Sequence, residues 1–118
     1  MITFTIPMRL SSPSNGQHGH WTKHASVRKR QRQAIAAVWR TLRGPSHEPP
    51  FVVTLTRVAP RALDTDNLAA AFKSIRDEVA ARLGYGDSPT DPIEWVYRQE
   101  KSKPGAYFVR VDIEEKTK

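Results

Sequence analysis

Phe51-Val52-Val53-Thr54-Leu55-Thr56 runs on towards Pro60 and then gives way to Leu63-Asp64-Thr65-Asp66-Asn67-Leu68. In the first stretch Phe51, Val53 and Leu55 alternate with Val52, Thr54 and Thr56, a period of two that reads as a strand. In the second the period lengthens. Leu68, Phe72, Ile75, Val79 and Leu83 recur on one helical face, so a helix is predicted from near Asp64 to about Leu83, with Gly84 as its C-terminal stop. Its polar face carries Asp66, Lys73 and Asp77. A strand that feeds a helix through a short polar link is the centre from which the rest of the chain is read.

Upstream, Ile2, Phe4 and Ile6 alternate with Thr3 and Thr5, giving a first strand ended by Pro7. Ser11 to His24 is rich in turn formers and polar groups and reads as a loop holding one large aromatic, Trp21. From Ala25 to Leu42 the residues favour helix, with Val27, Ala34, Ile35, Val38 and Leu42 as its apolar stripe and Gly44-Pro45 as its stop. Downstream of the Gly86-Asp87-Ser88-Pro89 turn, Ile93, Trp95 and Tyr97 alternate with Glu94, Val96 and Arg98, and Trp95 and Tyr97 are read as core. Lys101-Ser102-Lys103-Pro104-Gly105 then predicts a hairpin into a last strand carrying Tyr107, Val109, Val111 and Ile113 on one face. The order is β-α-β-α-β-β, with neither repeats nor a linker. It reads as one α+β domain over residues 1–118, with two helices on one face of a four-stranded mixed sheet.

Composition narrows the partners. A chain of 118 residues, 38% hydrophobic and 26% charged, can bury one modest core, and pairing into a homodimer would add burial that so small a core lacks. Nineteen Lys and Arg against twelve Asp and Glu leave a formal charge of +7, which suits a polyanion. A membrane surface is not expected, since neither a long apolar run nor a lipidation signal is present. The absence of cysteine excludes disulfides, Cys-ligated zinc and thiol nucleophiles. Met1 to Pro7 lacks the charged-then-apolar layout of a signal peptide, so a cytoplasmic location is expected.

Chemistry concentrates in Asp64-Thr65-Asp66-Asn67, followed by Asp87 and Asp91. Phosphodiester hydrolysis needs a hard cation with oxygen ligands, and Mg²⁺ keeps several waters, so two or three carboxylates suffice. Capping competes with this reading. Asp64 is a natural N-cap, Asp66 in a first turn complements the helix dipole, and Gly-Asp-Ser-Pro and Thr-Asp-Pro are ordinary turn sequences. Acids set directly after Arg57 and Arg61 in a basic protein point instead to a metal between protein and phosphate.

Leu63-Asp64-Thr65-Asp66-Asn67-Leu68, the helix after it, its Leu-Gly stop and the acidic loop resemble the Asp-x-Asp-Asn-Leu signature and downstream aspartate of RusA-like Holliday junction resolvases. Pro13-Ser14-Asn15 is similar to that family's Pro-Pro-Ser-x-Asn segment, and the element order agrees over nearly the whole chain. The resemblance implies a Mg²⁺-dependent endonuclease, with Mn²⁺ as the alternative ion. It would act as a homodimer on branched DNA, in recombination and repair, nicking four-way junctions symmetrically, an activity that suits a phage or prophage. It also implies metal-holding roles for Asp64 and Asp66, with Asp87 or Asp91 as the third carboxylate. The family commonly carries a lysine where this chain has Ala70. Lys73, one turn on and over the small Ala70, is the expected substitute near Asp66, against the competing reading of a surface pair with Asp77.

Arg28, Lys29, Arg30 and Arg32 fall early in the first predicted helix, where positive charge opposes the dipole and calls for a compensating anion such as DNA phosphate. Arg57, Arg61 and Asn15 join this contact set, and Trp21 would stack on an unpaired base. His18, His20 and His24 do not have metal-ligand spacing. Two other functions stay open beside the nuclease: a DNA-binding protein of the same fold with weakened chemistry, and a metal-dependent RNase.

Overall fold

β2 (Phe51–Ala59) has apolar residues on both of its faces and is the most buried strand among the described residues. It pairs in parallel with β3 (Ile93–Lys101), Phe51 opposite Ile93 and Ala59 opposite Lys101, and antiparallel with β4 (Phe108–Glu115), Leu55 opposite Val111. β1 (Ile2–Pro7) adds to the other edge of β4, with Phe4 opposite Val111, and the order is β1-β4-β2-β3. The computed structural model describes residues 2–10, 21–42, 49–86 and 88–115, with backbone alone for 21–25. Asn15, His18, His20, Asp87 and the side chains of Trp21 and His24 lie outside that description.

The fold class is α+β with a four-stranded mixed sheet, as the sequence predicts. The chain divides into two compact units, one of strands (Met1–Leu10, Pro45–Asp64 and Pro92–Lys118) and one of helices (Ser11–Gly44 and Thr65–Asp91). No helix among the described residues is long and apolar enough to cross a membrane.

In the strand unit, the register places Phe4, Ile6, Val109, Val111, Ile113, Phe51, Val53 and Leu55 on one side of the sheet, all buried. Trp95 and Tyr97 share that side but are half-buried, because β3 is an edge strand. The predicted hairpin between the last two strands is not formed, since β2 lies between them. β2 and β4, paired with each other, are the most buried strands among the described residues. The connector 102–107 instead passes the end of β2, where Ser102 N donates to Ala59 O at 3.0 Å. Its turn is closed by Ser102 Oγ donating to Ala106 O at 2.6 Å, with Gly105 at φ 83°. Crossing one strand spans only about 10 Å, well within reach of six residues.

The sheet's other side is polar and cross-linked. Arg110 on β4 reaches over β2 to Glu100 on β3 in a two-pronged pair, and its Nε lies 3.6 Å from Asp112 Oδ2. Thr3 on β1 donates to Asp112 Oδ1 at 2.9 Å, so the network joins β1, β4 and β3 and passes over β2. The hydrogen bond from Arg110 holds the Glu100 carboxyl below its ordinary range.

In the helical unit, α1 (Trp21–Thr41) begins four residues before the expected Ala25. No proline or glycine stands between Gly19 and that start to stop it. Ile35 and Ala36 are its buried residues, whereas Val27, expected in the apolar stripe, is exposed. The single helix expected from near Asp64 to Leu83 is two, α2 (Thr65–Ala71) and α3 (Lys73–Leu83). They meet at Phe72, whose φ −87° and ψ −1° tighten the turn so that its N–H is shared between Leu68 O and Ala69 O at 3.3 and 3.2 Å. Phe72 is the largest fully buried side chain among the described residues, and Ile75 and Val79 are also buried.

α3 ends at Gly84, as the sequence predicts. Gly84 takes φ 96° while its N–H bonds Ala81 O at 3.1 Å and Tyr85 N bonds Ala80 O at 2.8 Å, the paired bonds of a Schellman stop. A Cβ at Gly84 would meet nothing within 4 Å, so any penalty there is conformational. Gly84→Ala is therefore expected to destabilise the protein by about 1–2 kcal/mol. Urea unfolding should show a lower midpoint at unchanged slope, and an unchanged midpoint would contradict this account of the stop.

Candidate metal and nucleic-acid site

The segment leading to Asp64 is held by two side chains of the strand unit. Gln99, on β3, pairs with the Leu63 backbone at both ends of its amide: Leu63 N donates to Oε1 and Nε2 donates to Leu63 O, each at 2.8 Å. This reproduces a step of β-ladder beyond the end of β2 and anchors the residue directly before Asp64. Arg57 turns inward, where Nε donates to Leu10 O at 2.8 Å and Nη1 donates to Arg61 O. It is only 8% exposed. Burial pushes its pKa down, the Tyr107 hydroxyl opposes that and Arg9 adds to it. Arg57 was expected among the DNA contacts; its guanidinium instead braces the chain from within, because two backbone carbonyls there require a donor. Arg61, on the same loop, is exposed.

Asp64 and Asp66 are both exposed, Asp64 at the end of that anchored loop and Asp66 in the first turn of α2. Asn67 is half-buried. Asp91 shows the turn role: its Oδ2 accepts from Ser88 N at 2.8 Å while its own N–H donates to Ser88 O at 3.0 Å. Asp87 cannot be compared with it, being outside the described residues. Among the described residues no three His, Asp or Glu side chains form a group that could hold a metal ion. The donor chemistry of Asp64 and Asp66 nevertheless fits a hard cation, since both carboxylates face solvent and Mg²⁺ completes its shell with water.

Lys73 pairs with Asp77, Nζ to Oδ1 at 3.0 Å, at the start of α3. The surface pair of the competing reading is present, and the expected reach over Ala70 towards Asp66 crosses the Phe72 turn between α2 and α3.

Arg28, Lys29, Arg30 and Arg32 are all exposed on α1. Because α1 starts at Trp21, they lie roughly two turns or more inside it, where the dipole no longer acts, and that part of the sequence argument lapses. The structure supplies other grounds. A groove of about 540 Å³ between α1 and α3 is lined by Arg28, Lys29, Arg32 and Arg40 of α1 and by Glu78 and Arg82 of α3. Glu78 is 5% exposed and accepts from Arg32 Nε at 2.9 Å and Arg82 Nε at 2.7 Å, one arginine on each oxygen. Burial acts to raise its pKa, but the two arginines outweigh it and the carboxyl sits below its usual range.

Sequence reading missed Gln99, Glu78 and Arg82. Two signals were present. Gln99 stands at an apolar register position, in step with Trp95 and Tyr97, and Glu78 precedes Arg82 by four residues on one helix. No family model matches the chain, and no curated protein matches it.

With its folded pKa depressed, Glu78 stabilises the protein above the ordinary glutamate value of 4.5, and that contribution is lost as pH falls through the folded value. The gap in unfolding midpoint between the parent and Glu78→Gln should be open at pH 7 and close towards pH 3. A gap of constant size across that range would refute the ion-pair account.

Proposed function

We propose that this chain is a structure-selective DNA endonuclease of the RusA-like kind, which uses Mg²⁺, or Mn²⁺ in its place, to nick four-way junctions symmetrically as a homodimer. The observation that carries the reading is the exposed Asp64-Thr65-Asp66 segment, placed directly after a loop held by Gln99 at Leu63 and by Arg57 at Arg61. Anchored carboxylates hold a cation with less ordering cost than carboxylates on a free loop. Asp64 and Asp66 would be the ligands, joined by Asp87 or by the Asp91 oxygen that Ser88 does not occupy. The bound ion supplies Lewis acidity towards the phosphate and a hydroxide near neutral pH. Arg61 offers an exposed charge beside the same segment, and the basic side chains of α1 bind the DNA backbone without reading bases. Two-fold symmetry of the protein would match the two equivalent strands of the junction.

A second reading, a DNA-binding protein of the same fold with weakened chemistry, draws on one observation. Ala70 stands where the family commonly has lysine, and Lys73 is paired with Asp77. Incubation with labelled four-way junction, linear duplex and hairpin RNA, with and without Mg²⁺, separates these readings and also tests RNA cleavage.

Asp64→Asn and Asp66→Asn should each lower junction nicking about a hundredfold or more while binding stays equal or tightens, because each removes a charge that holds the ion and repels phosphate. Wild-type nicking by Asp66→Asn would remove the aspartate pair from the active site. Lys73→Ala should stay within about twofold of the parent in single-turnover cleavage. A loss of tenfold, roughly 1.4 kcal/mol, would return the lysine to the reacting phosphate.

A further inference from the structure

We infer that the groove between α1 and α3 is a clamp for a phosphodiester backbone, in which the buried carboxylate of Glu78 holds Arg32 and Arg82 in position for the ligand. This rests on the nucleic-acid part of the proposed function and is independent of the chemistry at Asp64 and Asp66.

The groove gathers five cationic side chains around one carboxylate. Glu78 engages both arginines through Nε, the inner edge of each guanidinium. Among the described residues no second carboxylate pairs with either one. Their side chains remain 48% and 40% exposed, and each guanidinium has donors beyond the Nε that Glu78 takes. A planar fork fixed at one edge and open at the other is suited to the oxygens of a phosphate.

The shape favours a chain of phosphates over a single small anion. Arg28, Arg32, Ala36 and Arg40 follow one another at intervals of four along α1, which is one ridge of the helix. Arg28 to Arg40 spans about 18 Å along the axis, enough to track about five nucleotide steps of a DNA strand. Ala36, small and buried at the middle of the ridge, leaves room for Glu78 and Arg82 of α3 to approach. Arg30, exposed on α1, does not line the groove, so the four basic residues singled out in the sequence do not act as one set.

The test is fluorescence anisotropy with a labelled duplex and a labelled four-way junction over a range of salt, without divalent metal so that cleavage plays no part. Glu78→Gln raises the net charge by one, and Coulomb attraction alone then predicts tighter binding. The clamp predicts the opposite, a loss of about fivefold or more, because the arginines lose their fixed orientation. Arg82→Ala should weaken binding and lower the log-log salt slope by about one. Arg82→Lys, an exposed change that retains the charge, should lose nearly as much affinity as Arg82→Ala, and it keeps the test decisive if Glu78→Gln does not fold. Binding by folded Glu78→Gln as tight as the parent or tighter, or full rescue by Arg82→Lys, overturns the clamp. Loss of Mg²⁺-dependent nicking with the clamp results intact would remove the nuclease reading and leave the clamp standing.

Discussion

The pairing of β2 on both of its edges is the constraint on which the strand unit depends. A strand bonded in parallel on one edge and antiparallel on the other has its backbone groups paired on both sides, which places it at the interior of the sheet. The sequence of Phe51–Ala59 suits that place, with Phe51, Val53 and Leu55 buried on one side and Val52 and Val58 half-buried on the other. Parallel pairing with β3 also requires a long crossover, and residues 60–92, with α2 and α3 inside them, supply it. The acidic segment lies at the start of this crossover, directly beyond the strand the sheet is built on.

Charge is handled differently in the two units. On the polar side of the sheet, Glu100, Arg110 and Asp112 form a half-exposed chain over the strands, where each pair contributes little alone and the network ties β3 to β4 across β2. In the helical unit, Glu78 is almost wholly buried, and a buried carboxylate is tolerated only when its oxygens are matched. Two arginines match them, which couples the packing of α1 on α3 to the placement of positive charge at the surface. Removing one partner leaves a desolvated charge behind, so this part of the helix pair cannot be varied one residue at a time without cost.

Arginine serves several ends in this basic chain. Arg57 donates to backbone carbonyls behind a loop, Arg110 bridges strands, Arg32 and Arg82 clasp a carboxylate, and Arg28 and Arg61 are exposed. A net charge of +7 does not say where the positive charge is gathered, and the spatial grouping between α1 and α3 is more informative than the total.

Local pattern was sufficient for the strands, for the helical segments and for the stop at Gly84, because period, turn formers and a left-handed glycine act over a few neighbouring residues. The place of Asp66 on a polar helix face was legible for the same reason, as was the turn role of Asp91. The expected hairpin failed because adjacency in sequence does not rank the pairing of β4 with β2 above its pairing with β3. The break at Phe72 escaped notice because the apolar spacing continues across it. Arg57 and Gln99 show the deeper limit: each has a polar side chain at a position whose environment is built by residues thirty or more places away. By itself the sequence determined element type, order, charge and the acidic segment between strand and helix, all set by local geometry and composition. Tertiary structure alone decided the strand order, which arginine turns inward and the meeting of Arg32 with Glu78, because each depends on which distant surface completes a buried polar group.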